Sequence, residues 1–287
     1  MSHFTTTDGT RLFYRDCGRG QPIVFAASWA LDSRAWAPYM LHFQELGYRC
    51  VALDRRGHGR SDDPGHGYRL DRLADDLAEL LEHLDLRDVS VVTHSMASGE
   101  ATRCLARHGR GRVARAVFLA PTAPSYAEGS REPWSMDEPT TAAVLAAIRH
   151  DLPYWLTDNA NDFFLPAETG ATPEYMQYTI DAICHASLQA LVECFRAKRV
   201  DLREELRTLP VPLLVIHGNR DASEPVQQGR AVATMVPDGR FLEYDGAPHG
   251  FYHTHRERLV ADIHAFLRET GAVSRGAVAS GAGIIAA

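Results

Sequence analysis

Short apolar runs alternating with stretches of helical periodicity constrain the fold of this chain more than any other feature. Pro22–Ala26 (Pro-Ile-Val-Phe-Ala), residues 50–53 and residues 89–92 read as buried strands, because a strand covered on both faces is apolar throughout. Residues 114–120, 211–216 and 240–244 continue the series, and residues 11–15 form a strand after a turn at Asp8-Gly9. Helical stretches lie between them. One covers roughly 33–46. A second covers 69–84, with Leu70, Leu73, Leu77, Leu80, Leu81 and Leu84 at helical spacing. A third follows Ser95, and the last covers about 255–269, with Leu259, Val260, Ile263, Phe266 and Leu267 on one face. Such alternation builds βαβ units. It predicts an α/β fold with a mainly parallel, doubly wound sheet and helices on both faces. Ligands in these sheets bind outside the carboxyl ends of the strands. Chemistry is therefore expected just after the apolar runs.

The alternation breaks from about 124 to 208. Residues 140–150, 172–185 and 188–199 read as helices, and aromatics are dense: Trp155, Phe163, Phe164, Tyr175 and Tyr178. Sheet strands resume straight after, so the segment reads as a helical cap inserted between two strands. A separate helical domain is the other reading. The expected organisation is a core in two parts, 1–123 and 209–270, a helical cap at 124–208, and a flexible tail at 271–287. That tail is rich in Gly, Ala and Ser, and its Ile284-Ile285 pair offers a docking point on the body.

Composition removes several classes of function. The formal net charge of −7 argues against a nucleic-acid binder. Five cysteines, odd in number and without a CxxC pair, suggest neither a zinc site nor a disulfide framework. Reduced thiols fit a cytoplasmic protein. The N-terminus shows no basic-then-apolar leader. No apolar run reaches about 18 residues, so no membrane span is expected.

The run 89–92 leads into Thr93-His94-Ser95-Met96-Ala97-Ser98-Gly99-Glu100. A serine between strand and helix, with small residues two positions away, suggests a nucleophile elbow, although Thr93 and Ala97 stand where glycines are usual. A serine hydroxyl is a weak nucleophile and needs a base. His249, in the loop Asp245-Gly246-Ala247-Pro248-His249-Gly250, is the candidate. A carboxylate must fix its tautomer. Asp221 follows the run 211–216 and supplies one; its bland alternative is a turn or N-cap aspartate. The loop after 114–120 offers no carboxylate. The order Ser95, Asp221, His249 is the one expected of such a sheet.

The oxyanion of acyl transfer needs two donors. The backbone N–H of Met96 is one candidate, and that of Trp29, in Ala27-Ser28-Trp29-Ala30, is the other. The Trp29 side chain reads as pocket packing. Ser28, His94, Trp155, Phe163 and Phe164 are candidate substrate contacts, with His94 either touching substrate or merely packing. Asp54-Arg55-Arg56-Gly57-His58-Gly59-Arg60-Ser61 reads as a structural loop, and Cys104 as a buried small hydrophobe. No residue pattern calls for a metal or a cofactor.

From about residue 5 to 269 the chain resembles the α/β-hydrolase superfamily, and in particular its cofactor-free haloperoxidase/esterase group. The matching pieces are Ser28-Trp29-Ala30-Leu31 with Trp36, the loop 54–61, His94-Ser95-Met96, His217-Gly218-Asn219-Arg220-Asp221 and Gly246-Ala247-Pro248-His249-Gly250. The resemblance implies the α/β-hydrolase fold, a Ser95–His249–Asp221 triad, and an oxyanion hole from Trp29 and Met96. It implies hydrolysis of carboxylic esters, and the aromatic-rich cap predicts an apolar pocket for a small to medium ester, lactone or amide. Some such enzymes also form peracids from hydrogen peroxide and so oxidise halide without metal or haem. Ala27-Ser28 stands where relatives usually carry His-Gly, and Ala97-Ser98 where they carry Gly-Gly. The first change predicts a reshaped oxyanion hole. Two rivals follow: a C–C bond hydrolase or lyase using the same residues, and a non-catalytic ligand-binding protein on the same fold. Dehalogenase and epoxide hydrolase chemistry would need an aspartate where Ser95 stands.

Overall fold

The computed structural model of the chain describes residues 2–109, 111–124 and 136–273. Eight strands form one sheet: β1 (Ser2–Thr5), β2 (Arg11–Gly18), β3 (Pro22–Ala26), β4 (Arg49–Leu53), β5 (Val89–His94), β6 (Val113–Leu119), β7 (Leu213–Gly218) and β8 (Gly239–Tyr244). Their order is β1-β2-β4-β3-β5-β6-β7-β8. The pairs β1–β2 and β2–β4 are antiparallel, and every other pair is parallel. This is the α/β-hydrolase fold.

Helices cover both faces, and residues alternating along each strand feed two core layers. Helix α1 (Ala37–Glu45) packs Tyr39, Met40 and Phe43 with Ile23, Phe25, Val92 and Ile216. Helix α2 (Leu70–His83) buries Leu70, Ala74, Leu77, Leu80 and Leu81 on the other face, against Val24, Val51, Val89 and Val91. Helix α3 (Ala97–Arg107) joins α2 there through Ala101, Cys104 and Leu105. Their apolar stripes recur every three to four residues, which is what one-sided burial of a helix requires. The chain leaves β3 toward β4 on one side and returns as β5 on the other. The carboxyl ends of β3 and β5 thus flank the point where connections diverge, which is where such sheets open a crevice.

Between the neighbouring strands β6 and β7 the chain makes helices α4 (Glu138–His150), α5 (Leu152–Phe164), α6 (Pro166–Thr169), α7 (Pro173–Cys184), α8 (Leu188–Ala197) and α9 (Arg203–Arg207). The starts of four are written in sequence. Asp137, Asp151, Thr172 and Ser187 each accept a first-turn N–H of α4, α5, α7 and α8. Leu156, Ala160, Ile180, Ile183 and Leu191 share one core layer with the sheet. Helices α10 (Val226–Met235), α11 (Phe251–Thr254) and α12 (Arg256–Val273) complete the core.

Some boundaries differ from expectation. The stretch 33–46 opens as a 3-10 turn, Ser33–Trp36, capped by Asp32, before α1 begins. Strand β7 starts at Leu213 rather than 211, since Pro212 has no N–H to give a ladder. Helix α12 runs to Val273, past the expected start of the tail at 271. Residues 274–287, with Ile284-Ile285, lie outside the described residues, as do 125–135 of the expected cap. Among the described residues no helix is long and apolar enough to cross a membrane.

Candidate active site

Strand β5 ends at His94 and α3 begins at Ala97. Ser95 bridges them with φ +55°, a left-handed conformation that non-glycine residues seldom adopt. Its N–H donates to Leu119 O at 2.8 Å, fastening the turn to β6. Ser98 hydroxyl donates to Ser95 O at 2.7 Å and accepts from Thr122 N–H at 3.2 Å. Ser98 thus ties the elbow to the loop after β6. Thr93 and Ala97 are fully buried, so side chains of this size are accommodated beside the turn.

Asp221 follows β7 and divides its two oxygens. Oδ1 accepts the N–H groups of Ser223 and Glu224 at 2.9 and 2.8 Å, which makes it a turn aspartate. Oδ2 accepts from His249 Nδ1 at 2.6 Å and from His217 Nε2 at 3.2 Å. Burial pushes this carboxyl upward, but the charge of His249 and the bonds from His217 and His249 outweigh it and hold it well below the usual carboxylate range. His217 Nε2 also reaches Glu224 O at 2.9 Å.

His249 is only 3% exposed and lies in the loop after β8. That loop is stitched to the loop after β7. Gly246 N–H donates to Asn219 Oδ1 at 2.9 Å, and Arg220 N–H to Ala247 O at 3.1 Å. Gly218 permits the approach: a Cβ there would lie 2.0 Å from Ala247 O. His94 packs behind His249, with ring centroids 4.7 Å apart, and its Nε2 donates to His249 O at 3.0 Å. Burial first, and the charge of His249 second, hold His94 well below the usual histidine value, so it stays neutral. The residue before Ser95 is therefore in direct contact with His249.

The register Ala26↔Thr93 puts the loops after β3 and β5 side by side. Trp29 lies in the first and Met96 in the second. Among the described residues, neither backbone N–H is engaged by a backbone acceptor. The Trp29 indole donates to Leu191 O at 2.8 Å and meets Trp155 and Phe195 edge to face at 5.8 and 5.6 Å. It packs against the inserted helices.

The family model for the alpha/beta hydrolase fold matches residues 21–256. The chain belongs to the α/β-hydrolase family. It is 34% identical to a non-heme chloroperoxidase of Kitasatospora aureofaciens, over 92% of this chain and 98% of that protein. It is 30% identical to a bifunctional esterase/perhydrolase of Acinetobacter calcoaceticus, over 93% of this chain and all of that protein. Among solved structures, an esterase from Exiguobacterium antarcticum superposes with a TM-score of 0.88 at 26% identity, covering 93% of this chain and 99% of that one. A bromoperoxidase from Bacillus anthracis superposes at 0.87 with 28% identity, covering 93% of this chain and all of that one.

Within this hydrolase the candidate residues fall into three groups. Asp221 and His249 meet in the loops after β7 and β8, and His94, the residue before Ser95, touches His249. Phe163 sits over His249, its ring 5.3 Å away, and Trp155 reaches the same region through Trp29. Phe164 is buried instead against Tyr175 and His253, and Ser28 is buried in the loop after β3. Two further residues contribute to the site. His217 stands four residues before Asp221, but its bond to Oδ2 depends on how the chain turns after β7. Gly250 N–H donates to Phe163 O at 2.7 Å, pinning the end of α5 to the residue after His249. Nothing in the sequence pairs those two positions.

Proposed function

We propose that the protein is a cofactor-independent serine hydrolase that cleaves carboxylic esters through an acyl-enzyme. The observation that carries this reading is the 2.6 Å bond from His249 Nδ1 to Asp221 Oδ2, in a loop held against the residue preceding a strained Ser95. A proton kept on Nδ1 leaves Nε2 unprotonated and able to act as base. Ser95 Oγ attacks the acyl carbonyl while His249 takes its proton. The N–H groups of Trp29 and Met96 receive the oxyanion. Collapse expels the alcohol, which takes the proton back from His249. Water, deprotonated by His249, then releases the acid and restores Ser95.

The inserted helices bring Phe163 edge-on to His249 and Trp155 edge-on to Trp29, aromatic surroundings that suit small to medium apolar acyl groups of esters, lactones or amides. Hydrogen peroxide in place of water would release a peracid from the same acyl-enzyme. Relatives named as non-heme chloroperoxidases and as an esterase/perhydrolase support that side activity. The five unpaired cysteines support a cytoplasmic setting.

The test is labelling by a fluorophosphonate, with Ser95→Ala as control, followed by p-nitrophenyl esters of increasing chain length with and without hydrogen peroxide. The expected result is labelling that vanishes in Ser95→Ala, together with turnover of short esters. Absence of labelling would overturn the acyl-enzyme reading. Labelling without ester turnover would overturn the substrate class alone.

A further inference from the structure

The loop 54–61 carries a side chain that its structural reading leaves unexplained. Arg55, just past β4, is 6% exposed and pairs with Glu100 of α3, 7% exposed, at 2.7 Å from Nε to Oε1. Its two remaining nitrogens reach backbone. Nη2 donates to Ala27 O at 2.8 Å and Nη1 to Ser28 O at 3.2 Å. These carbonyls belong to the loop after β3 that leads into Trp29.

We infer that Arg55 is a positioning residue that aims the Trp29 N–H at the oxyanion and, through Glu100, ties that donor to the helix that opens at the Met96 N–H. This rests on the acyl-enzyme reading above. The peptide bonds from Ala27 to Trp29 are trans. Across a trans peptide, the carbonyl oxygen and the following N–H point in opposite directions. Holding Ser28 O toward the guanidinium therefore turns the Trp29 N–H away from it, and holding Ala27 O does the same for the Ser28 N–H. A turn across Ser28–Leu31 completes the constraint: Leu31 N–H donates to Ser28 O at 3.2 Å, with Ala30 at φ +67°. Glu100 lies four residues after Met96 on α3, so one ion pair joins the loop after β3 to the elbow helix. The planar fork of an arginine suits three acceptors at once, which an ammonium group cannot match.

Arg55→Lys keeps the charge opposite Glu100 and loses the fork. Steady-state kinetics on a p-nitrophenyl ester and inhibition by a trifluoromethyl ketone, whose adduct carries an oxyanion, read the consequence. The expected result is a fall in kcat of at least about tenfold, below the ~10²–10³ that loss of a whole oxyanion donor costs. Inhibitor affinity should fall by the same factor, with KM and melting temperature near wild type. Wild-type kcat and wild-type inhibitor affinity in folded Arg55→Lys would overturn the inference. Should Arg55→Lys fail to fold, Glu100→Gln serves, because the amide oxygen still accepts from Nε while the charge that anchors the guanidinium is gone. A parallel several-fold loss in kcat and inhibitor affinity is then expected, and unchanged values overturn the inference. Fluorophosphonate labelling of the wild type separates the two levels. An unlabelled wild type refutes the acyl-enzyme itself, whereas a labelled wild type beside an unaffected Arg55→Lys refutes only the positioning role.

Discussion

His249 Nδ1 lies 2.6 Å from Asp221 Oδ2, and the same oxygen takes a second, longer bond of 3.2 Å from His217 Nε2. One carboxylate oxygen thus serves two imidazoles, while the other is consumed by backbone N–H groups of its own turn. The carboxylate is fixed from three directions before it meets His249.

Asp221→Asn should preserve the fold and abolish most activity. An amide nitrogen facing His249 would favour the tautomer with its proton on Nε2, where a base is needed. The cost in kcat is expected to be about 10⁴-fold, the scale seen when the orienting acid of such a triad becomes an amide. Ester kinetics beside circular dichroism check it. A kcat within tenfold of wild type would remove Asp221 from the orienting role.

Gly250→Ala tests the pin between helix α5 and the His249 loop. A Cβ at 250 would lie 2.6 Å from Phe164 Cδ1 and 2.7 Å from Phe163 O, so the end of α5 must move. Overpacking of this kind costs about 1–3 kcal/mol. Because Phe163 also sits over His249, KM for longer acyl chains should change more than KM for acetyl esters. Denaturant melts and a chain-length series measure both. Unchanged stability with an unchanged chain-length profile would show that the pin carries no weight.

Much of this arrangement is legible in the sequence, and the illegible parts have physical causes. Strands β3 to β7 are apolar runs because both faces are covered, so composition alone reveals them. Strand β1 is not visible, since at the sheet edge only Phe4 of Ser-His-Phe-Thr is buried. Helix α10 hides because its buried face mixes Val226 and Val232 with Gln228, Gly229 and Ala233, which blurs the apolar stripe. Gln228 donates to Thr122 O at 2.7 Å, and Gly229 lies so close to His217 that a Cβ would reach its Nδ1 at 2.4 Å. Ser95, Asp221 and His249 stand out because each follows a strand end in the expected order. His217 and Arg55 do not, because their partners are defined by where loops turn back and not by spacing.

The buried histidines predict an acid-sensitive fold. His58 is fully buried, its Nδ1 donates to Arg56 O at 2.9 Å, and burial together with the charge of Arg55 lowers it to about 3. The unfolded chain takes up a proton there near pH 6.5 and the folded chain does not. Stability is therefore lost as pH falls from about 6.5 to about 3, by up to about 1.4 kcal/mol per pH unit for one such residue. His94 acts in the same direction. His58→Gln should flatten the slope of unfolding free energy between pH 6.5 and 4.5 relative to wild type. Denaturant titrations at several pH values test this, and parallel slopes would contradict it.

Arg56 and Asp76 should matter to stability and not to turnover. Arg56 is fully buried and forks onto Asp76, with Nε and Nη2 each 2.7 Å from a carboxylate oxygen, while Nη1 reaches Asp8 at 2.9 Å. Asp76 lies on α2, so the pair fastens the loop after β4 to that helix. Removing one partner of a buried pair costs up to about 3–5 kcal/mol, an upper bound here because the part-exposed Asp8 still faces Arg56 Nη1. Asp76→Asn should lower the unfolding free energy by an amount below that bound, while the folded fraction keeps its kcat and KM at low temperature. The contrast with Arg55→Lys is the informative part. Two adjacent arginines on one loop would then separate cleanly, one by kinetics at constant stability and the other by stability at constant kinetics. A fall in kcat for folded Asp76→Asn would instead mean that the whole loop acts as one unit on the oxyanion donors.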